Sequence, residues 1–162
     1  MELVAKIPLL DRLTGQLMGS RDGRNLQADG LNLSLCRDLE RLFSSRNGLT
    51  MSEFLNCAGG VMYYGTPDTL DLSPQSGRDI RLLEDVLRHA ITLYEPRLLN
   101  ATIVARPDEN NKYGVNVQLK AAVRLGGQLR RVDFDLQMGA DGVAMQPVEP
   151  PSARERLGLG VN

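Results

Sequence analysis

Glu95, Pro96 and Arg97 put a carboxylate and a guanidinium two residues apart around a proline, where a long amphipathic run gives way to a β-rich one. Burial can turn a carboxylate at such a junction into a general acid. Glycoside hydrolysis would then require a second carboxylate, with Asp71 or Asp68 as its mate. That chemistry also requires a cleft that grips sugar, usually with aromatic help, and the chain has three Phe, four Tyr and no Trp. His89 is the only histidine, and no cysteine or second histidine lies near it in the sequence. One histidine rules out most metal clusters and triads, so His89 is assigned a structural role and no metal or cofactor is expected. Neither a phosphate loop ending in Lys-Ser or Lys-Thr nor a strand–Gly-x-Gly-x-x-Gly–helix unit occurs.

The totals narrow the classes further. A chain of 162 residues can bury a core without disulfides or metals. The formal net charge of -1 argues against a general nucleic-acid binder, and 4% aromatics argues against base-stacking platforms. Cys36 lies in a helical pattern with Leu33, Leu35 and Leu39 and reads as a small buried apolar residue. Cys57, before Ala58-Gly59-Gly60, fits either a buried or an exposed place. The stretch MELVAKIPLLDRL is not patterned as a secretory signal, and no apolar run reaches the roughly 18 to 20 residues of a membrane span. Cytoplasmic residence is the default expectation.

These residues must be positioned by a small set of elements. Residues 1–30 read as an arm and loop: an apolar cluster of Ile7, Leu9, Leu10 and Leu13, then a Gly-, Asp- and Ser-rich stretch. The arm docks on the domain or on a partner. Residues 31–148 form the domain and 149–162 a flexible tail. Asn32 or Ser34 caps a helix reaching about Ser45, with Leu35, Leu39, Leu42 and Phe43 on its apolar face and Gly48 as a left-handed stop. Thr50 or Ser52 caps a short helix through Leu55, broken by Gly59-Gly60. Val61, Met62, Tyr63 and Tyr64 are expected to be buried, and Gly65-Thr66-Pro67-Asp68 to turn. A long helix starts after Ser73 or Ser76 and buries Ile80, Leu83, Leu87, Ile91 and Tyr94, widened by Val86 and Ala90.

The remainder is β. Residues 101–105 make a strand, and Val115 to Leu125 alternate strictly. Gly126-Gly127 then pairs Leu125 with Gln128, which sets Ala121 against Val132, Leu119 against Phe134, Val117 against Leu136 and Val115 against Met138. Ala140-Asp141-Gly142 turns into a short strand from Val143. The expected class is α+β, with helices packed on one face of a three- to four-stranded antiparallel sheet.

Glu95 breaks a local rule, because a carboxylate opposes the dipole at a helix C-terminus. The residue before proline is pushed into extended space, and there Glu95 and Arg97 point the same way. Two readings follow: a rigid mixed-charge tooth for a partner, or an internal salt bridge that fastens helix to sheet.

At this point the sequence resembles the family of phage tail baseplate wedge proteins once labelled lysozyme-like, and within it the TssE branch of type VI secretion. The resemblance rests on Leu9-Leu10-Asp11-Arg12-Leu13, Arg37-Asp38-Leu39-Glu40-Arg41-Leu42, Tyr64-Gly65-Thr66-Pro67-Asp68 and Tyr94-Glu95-Pro96-Arg97-Leu98. The Leu-Leu-Asp-Arg-Leu arm points to the secretion branch. Cys57-Ala58-Gly59-Gly60 departs from the bulkier lead-in expected there. The resemblance implies an assembly part rather than an enzyme, with no cofactor, no nucleic acid and no membrane insertion. Glu95, Pro96 and Arg97 would meet a helical bundle of the TssF and TssG wedge subunits, and Leu9, Leu10 and Leu13 would dock on the same wedge. TssK, sheath subunits and the tail hub complete the implied partners, in a baseplate docked at the inner membrane. A phage-particle wedge and a peptidoglycan hydrolase with Glu95 as acid are the alternatives.

Overall fold

The computed structural model describes residues 5–6, 25–26, 28–125, 127–139 and 142–148. Leu9, Leu10 and Leu13 of the arm, and the tail 149–162, lie outside the described residues. Two short strands, β1 (Ala5–Lys6) and β2 (Asn25–Leu26), pair antiparallel ahead of helix α1 (Ala28–Ser44). Helix α2 (Met51–Leu55), a single 3-10 turn (Val61–Tyr63) and helix α3 (Gly77–Tyr94) follow. Strands β3 (Leu98–Pro107), β4 (Val115–Leu125), β5 (Gln128–Gly139) and β6 (Gly142–Pro147) then form a four-stranded antiparallel meander in chain order.

Alternation in β4 and β5 admits one register, and the structure has it. Leu125 pairs with Gln128, Ala121 with Val132, Leu119 with Phe134, Val117 with Leu136 and Val115 with Met138. Each of the apolar partners is buried, whereas Lys120 and Asp133 face each other on the exposed side. A slip by one residue would turn Leu119 and Phe134 to water. Both main helices pack on the buried face, α3 chiefly along β3 and α1 along β6. One continuous core results, with Leu35, Leu39, Phe43, Phe54, Val86, Leu87, Leu119 and Phe134 fully enclosed. The α+β architecture is therefore as the pattern implies.

Each open edge of the sheet receives a carboxylate from the helix above it. Glu84 of α3 accepts from the Ala105 N–H of β3 at 2.8 Å, and Glu40 of α1 accepts from the Met145 N–H of β6 at 2.9 Å. A charged side chain on an edge N–H satisfies the backbone and blocks pairing with another strand.

Several local details differ from the sequence-based expectations. Helix α1 begins at Ala28, ahead of Asn32 and Ser34, which extends its apolar face to the buried Leu31. Gly48 is not in left-handed geometry. The end of α1 is held instead by Arg46, whose guanidinium donates to the Phe43 carbonyl at 2.5 Å, and by a parallel bridge between Arg46 and Thr66. Strand β3 is longer than residues 101–105, because Asn100 at φ 53° absorbs a register shift and lets Leu98 and Leu99 pair with β4.

The largest correction concerns Val61, Met62, Tyr63 and Tyr64, which are exposed rather than buried. Val61 and Met62 are 92% and 86% accessible. Gly59 and Gly60, at φ 89° and 140°, carry the chain outward. The carbonyls of the turn, not its side chains, then face the protein. Tyr94 donates its hydroxyl to the carbonyls of Tyr63 at 2.8 Å and Gly60 at 3.2 Å, and the Asn47 amide donates to Tyr63 O at 3.2 Å.

Candidate functional site

Helix α3 begins at Ser76, whose hydroxyl accepts from the Asp79 N–H at 3.3 Å; Asp79 in turn accepts from the Ser73 N–H at 3.1 Å. Its apolar stripe of Leu83, Val86, Leu87, Ala90 and Ile91 lies against the sheet, which fixes where the helix must end. Glu95 is the last residue whose N–H joins the helix, donating to Ile91 O at 2.9 Å. Its own backbone has already left helical geometry, at φ -125° and ψ 71°, as a residue before proline must. Pro96 is exposed, and Leu98 N donates back to Glu95 O at 3.1 Å, closing a tight turn into β3.

Within that turn the carboxylate of Glu95, only 5% exposed, meets Arg97 in a two-pronged contact. Arg97 Nε donates to Oε1 at 2.7 Å and Nη2 to Oε2 at 2.5 Å, while the Arg97 backbone N–H reaches Oε1 at 3.2 Å. Planar forks of this kind are stronger than neutral hydrogen bonds and fix the geometry of both side chains. The guanidinium has further work on its outer side. Nη2 donates to Asp38 Oδ2 at 2.5 Å and Nη1 to Ser34 Oγ at 3.3 Å, both on α1. Asp38 also accepts from Arg41 at 3.3 Å. One arginine thus ties the α3–β3 junction to α1. Burial disfavours its charge, but the bonds and charges of Glu95 and then Asp38 outweigh that cost and hold its pKa above the ordinary value.

Glu95 and Arg97 are therefore brought together, and Pro96 stands outside them in solvent. Ser34 and Asp38 are partners that sequence reasoning missed, since it assigned Ser34 to a cap and gave Asp38 no contact with Arg97. Tyr64 belongs to the same neighbourhood. Its ring meets Tyr94 edge-on at 5.3 Å. Burial raises its hydroxyl pKa, Asp38 adds to that, Arg41 opposes it and Glu95 raises it again.

The remaining candidates are structural in their contacts. Asp68 accepts from the Leu70 N–H at 3.0 Å, and both Asp68 and Asp71 are exposed. His89 makes a 3.1 Å hydrogen bond with Cys57 O and stacks edge-on against Phe54 at 5.2 Å, docking α2 on α3. Cys36 is buried, and burial together with Glu40 pushes its thiol up to about 11. A cleft of about 220 Å³ opens elsewhere, between the start of α3 and the ends of β4 and β5, with Leu72, Ile80, Leu83, Val115 and Met138 in its wall. Among the described residues no group of three His, Cys, Asp or Glu is placed to hold a metal ion.

Fold and site together define an α+β protein with an ionic clasp that reaches the surface at a helix-to-strand junction. The family model of the baseplate wedge protein gp25 matches residues 30–132, a span that holds Ser34, Asp38, Glu95, Pro96 and Arg97, and the chain belongs to that family. It is a phage-tail-like baseplate structural protein, of a kind that associates with other baseplate subunits. No curated protein and no solved structure matches the chain.

Proposed function

We propose that this chain is a non-enzymatic subunit of a type VI secretion baseplate wedge, joining the wedge subunits TssF and TssG and helping to initiate the contractile sheath. In this reading residues 31–148 are the wedge domain, 1–30 an arm that docks on the same wedge through Leu9, Leu10 and Leu13, and 149–162 a tail. TssK, sheath subunits and the tail hub are its further neighbours, in a cytoplasmic baseplate docked at the inner membrane. No described helix is long and apolar enough to cross a membrane.

The observation that carries the reading is the family match across the Glu95-Pro96-Arg97 junction. Its geometry suits a contact. Pro96 is exposed and the Arg97 and Asp38 side chains remain 30% and 27% accessible, on a backbone stiffened by proline and the ionic fork. A surface already held in one shape loses little entropy on binding. Glu95 acts here as the internal brace and Arg97 with Pro96 as the outward part. The Leu9-Leu10-Asp11-Arg12-Leu13 arm favours secretion over the phage-particle alternative, which neighbouring genes would separate.

The test is co-purification of tagged protein with TssF and TssG, for wild type and for Glu95→Ala/Arg97→Ala. Removing both charges leaves no buried carboxylate alone, so the variant is expected to fold, as its thermal melt will show. Wild type should retain both subunits and the folded variant should lose them. Equal retention would make the clasp purely internal. Failure of wild type to bind either subunit would overturn the secretion reading.

A further inference from the structure

The 3-10 turn Val61–Tyr63 presents the two most accessible large apolar side chains among the described residues, Val61 and Met62. Loose apolar residues on a flexible loop would need no explanation. This turn is the opposite case. The Tyr63 carbonyl receives both the Tyr94 hydroxyl and the Asn47 amide, Tyr94 also reaches Gly60 O, and Asn47 reaches Gly65 O at 3.2 Å. Gly65 sits at φ 108° against the Ser45 carbonyl, where no side chain fits. The backbone is therefore pinned from α3 and from the segment after α1, with the side chains left outside.

We propose that Val61 and Met62 are apolar anchors for another protein, one that presents an apolar pocket bordered by carboxylates. The choice of partner follows from the rim. Tyr64, next in the chain, packs on Tyr94 at the edge of the Arg97 clasp. Arg41 and Arg97 on that side are balanced by Asp38 and the buried Glu95, which leaves the exposed Arg46, whose guanidinium reaches Thr66 Oγ1 at 3.1 Å and which makes no ion pair among the described residues. The outward charge is thus positive beside an apolar knob. A second copy related by a two-fold axis would set like charges against each other. Met beside a smaller aliphatic suits such a pocket, since its unbranched thioether adapts to irregular walls.

The inference rests on the baseplate reading and extends its contact from Arg97 to the turn. Val61→Ser/Met62→Ser in the full chain changes only exposed side chains, so its melt should match wild type. With co-expressed TssF and TssG, the expected result is a loss of affinity of about tenfold or more. A photocrosslinker in place of Met62 should join the chain to a wedge subunit beside acidic residues. If wild type binds and Glu95→Ala/Arg97→Ala does not, yet the serine variant binds like wild type, this inference falls and the baseplate reading stands. If wild type itself binds neither subunit, both fall. Crosslinks to a second copy, or flotation with phosphatidylglycerol vesicles that the serine substitutions abolish, would also overturn it.

Discussion

Arg97 is asked to hold three elements with one guanidinium, and that makes its removal asymmetric. Arg97→Ala leaves the Glu95 carboxylate buried with a backbone N–H as its remaining partner in the clasp. Breaking a buried pair from one side costs about 3–5 kcal/mol, whereas removing both partners costs less. Urea unfolding should show Arg97→Ala less stable than Glu95→Ala/Arg97→Ala. A loss under about 1 kcal/mol for Arg97→Ala would mean that the fork holds little. Cys36 carries a second residue-level consequence. Its thiol is raised from the ordinary 9.0 to about 11 in the folded protein, so folding favours the protonated form. That contribution is complete below pH 9 and lost as pH climbs toward 11, amounting to about 2–3 kcal/mol. Unfolding midpoints taken at pH 8 and at pH 10.5 should therefore fall further for wild type than for Cys36→Ala. Parallel slopes would show that Cys36 is not the titrating group.

Between residues and the whole, the connection from α1 to the Val61–Tyr63 turn depends on close backbone approach. A Cβ at Gly65 would lie 2.5 Å from Ser45 O, and φ 108° already disfavours any other residue. Gly65→Ala should cost roughly 2–4 kcal/mol, combining backbone strain with overlap. A thermal melt within 2 °C of wild type, on the order of the shift expected from half a kcal/mol, would contradict that packing. The same connection shows which elements sequence can settle. The β4–β5 register was readable because period-two alternation ending in Gly126-Gly127 has one solution that buries Leu119, Phe134 and Leu136 together. The direction a chain takes at a turn has no such constraint. Val61 to Tyr64 look like core by residue type, and what turns them outward are bonds from Asn47 and Tyr94, 16 and 31 residues away in sequence. The clasp was half readable for the same reason. Proline and residue spacing place Glu95 beside Arg97, but Asp38 and Ser34 enter from 59 and 63 residues away.

For the whole molecule the question is whether helices and sheet form one cooperative unit, because a rigid contact surface requires it. The clasp joins α1 to the α3–β3 junction, Glu40 and Glu84 bind the two sheet edges, and the buried residues of all these elements form one cluster. Leu39 on α1 and Phe134 on β5 are equally enclosed, at 0% exposure. In a single cooperative unit, truncating either one destabilises the same transition. Leu39→Ala should cost about 2–5 kcal/mol and Phe134→Ala about 3–5 kcal/mol, against a total of about 5–15 kcal/mol. Far-UV circular dichroism reports the helices, and tyrosine fluorescence reports the four tyrosines, of which Tyr63, Tyr64 and Tyr94 lie at the turn and beside the clasp. The two signals should melt together in both variants. If Leu39→Ala separates them, α1 opens independently of the sheet. Asp38 and Ser34 would then leave Arg97 before the core is lost, and the clasp would be a hinge rather than a fastening. The outward face of Arg97 and the Val61–Met62 turn would no longer be presented as one surface, which is the condition both proposed contacts depend on.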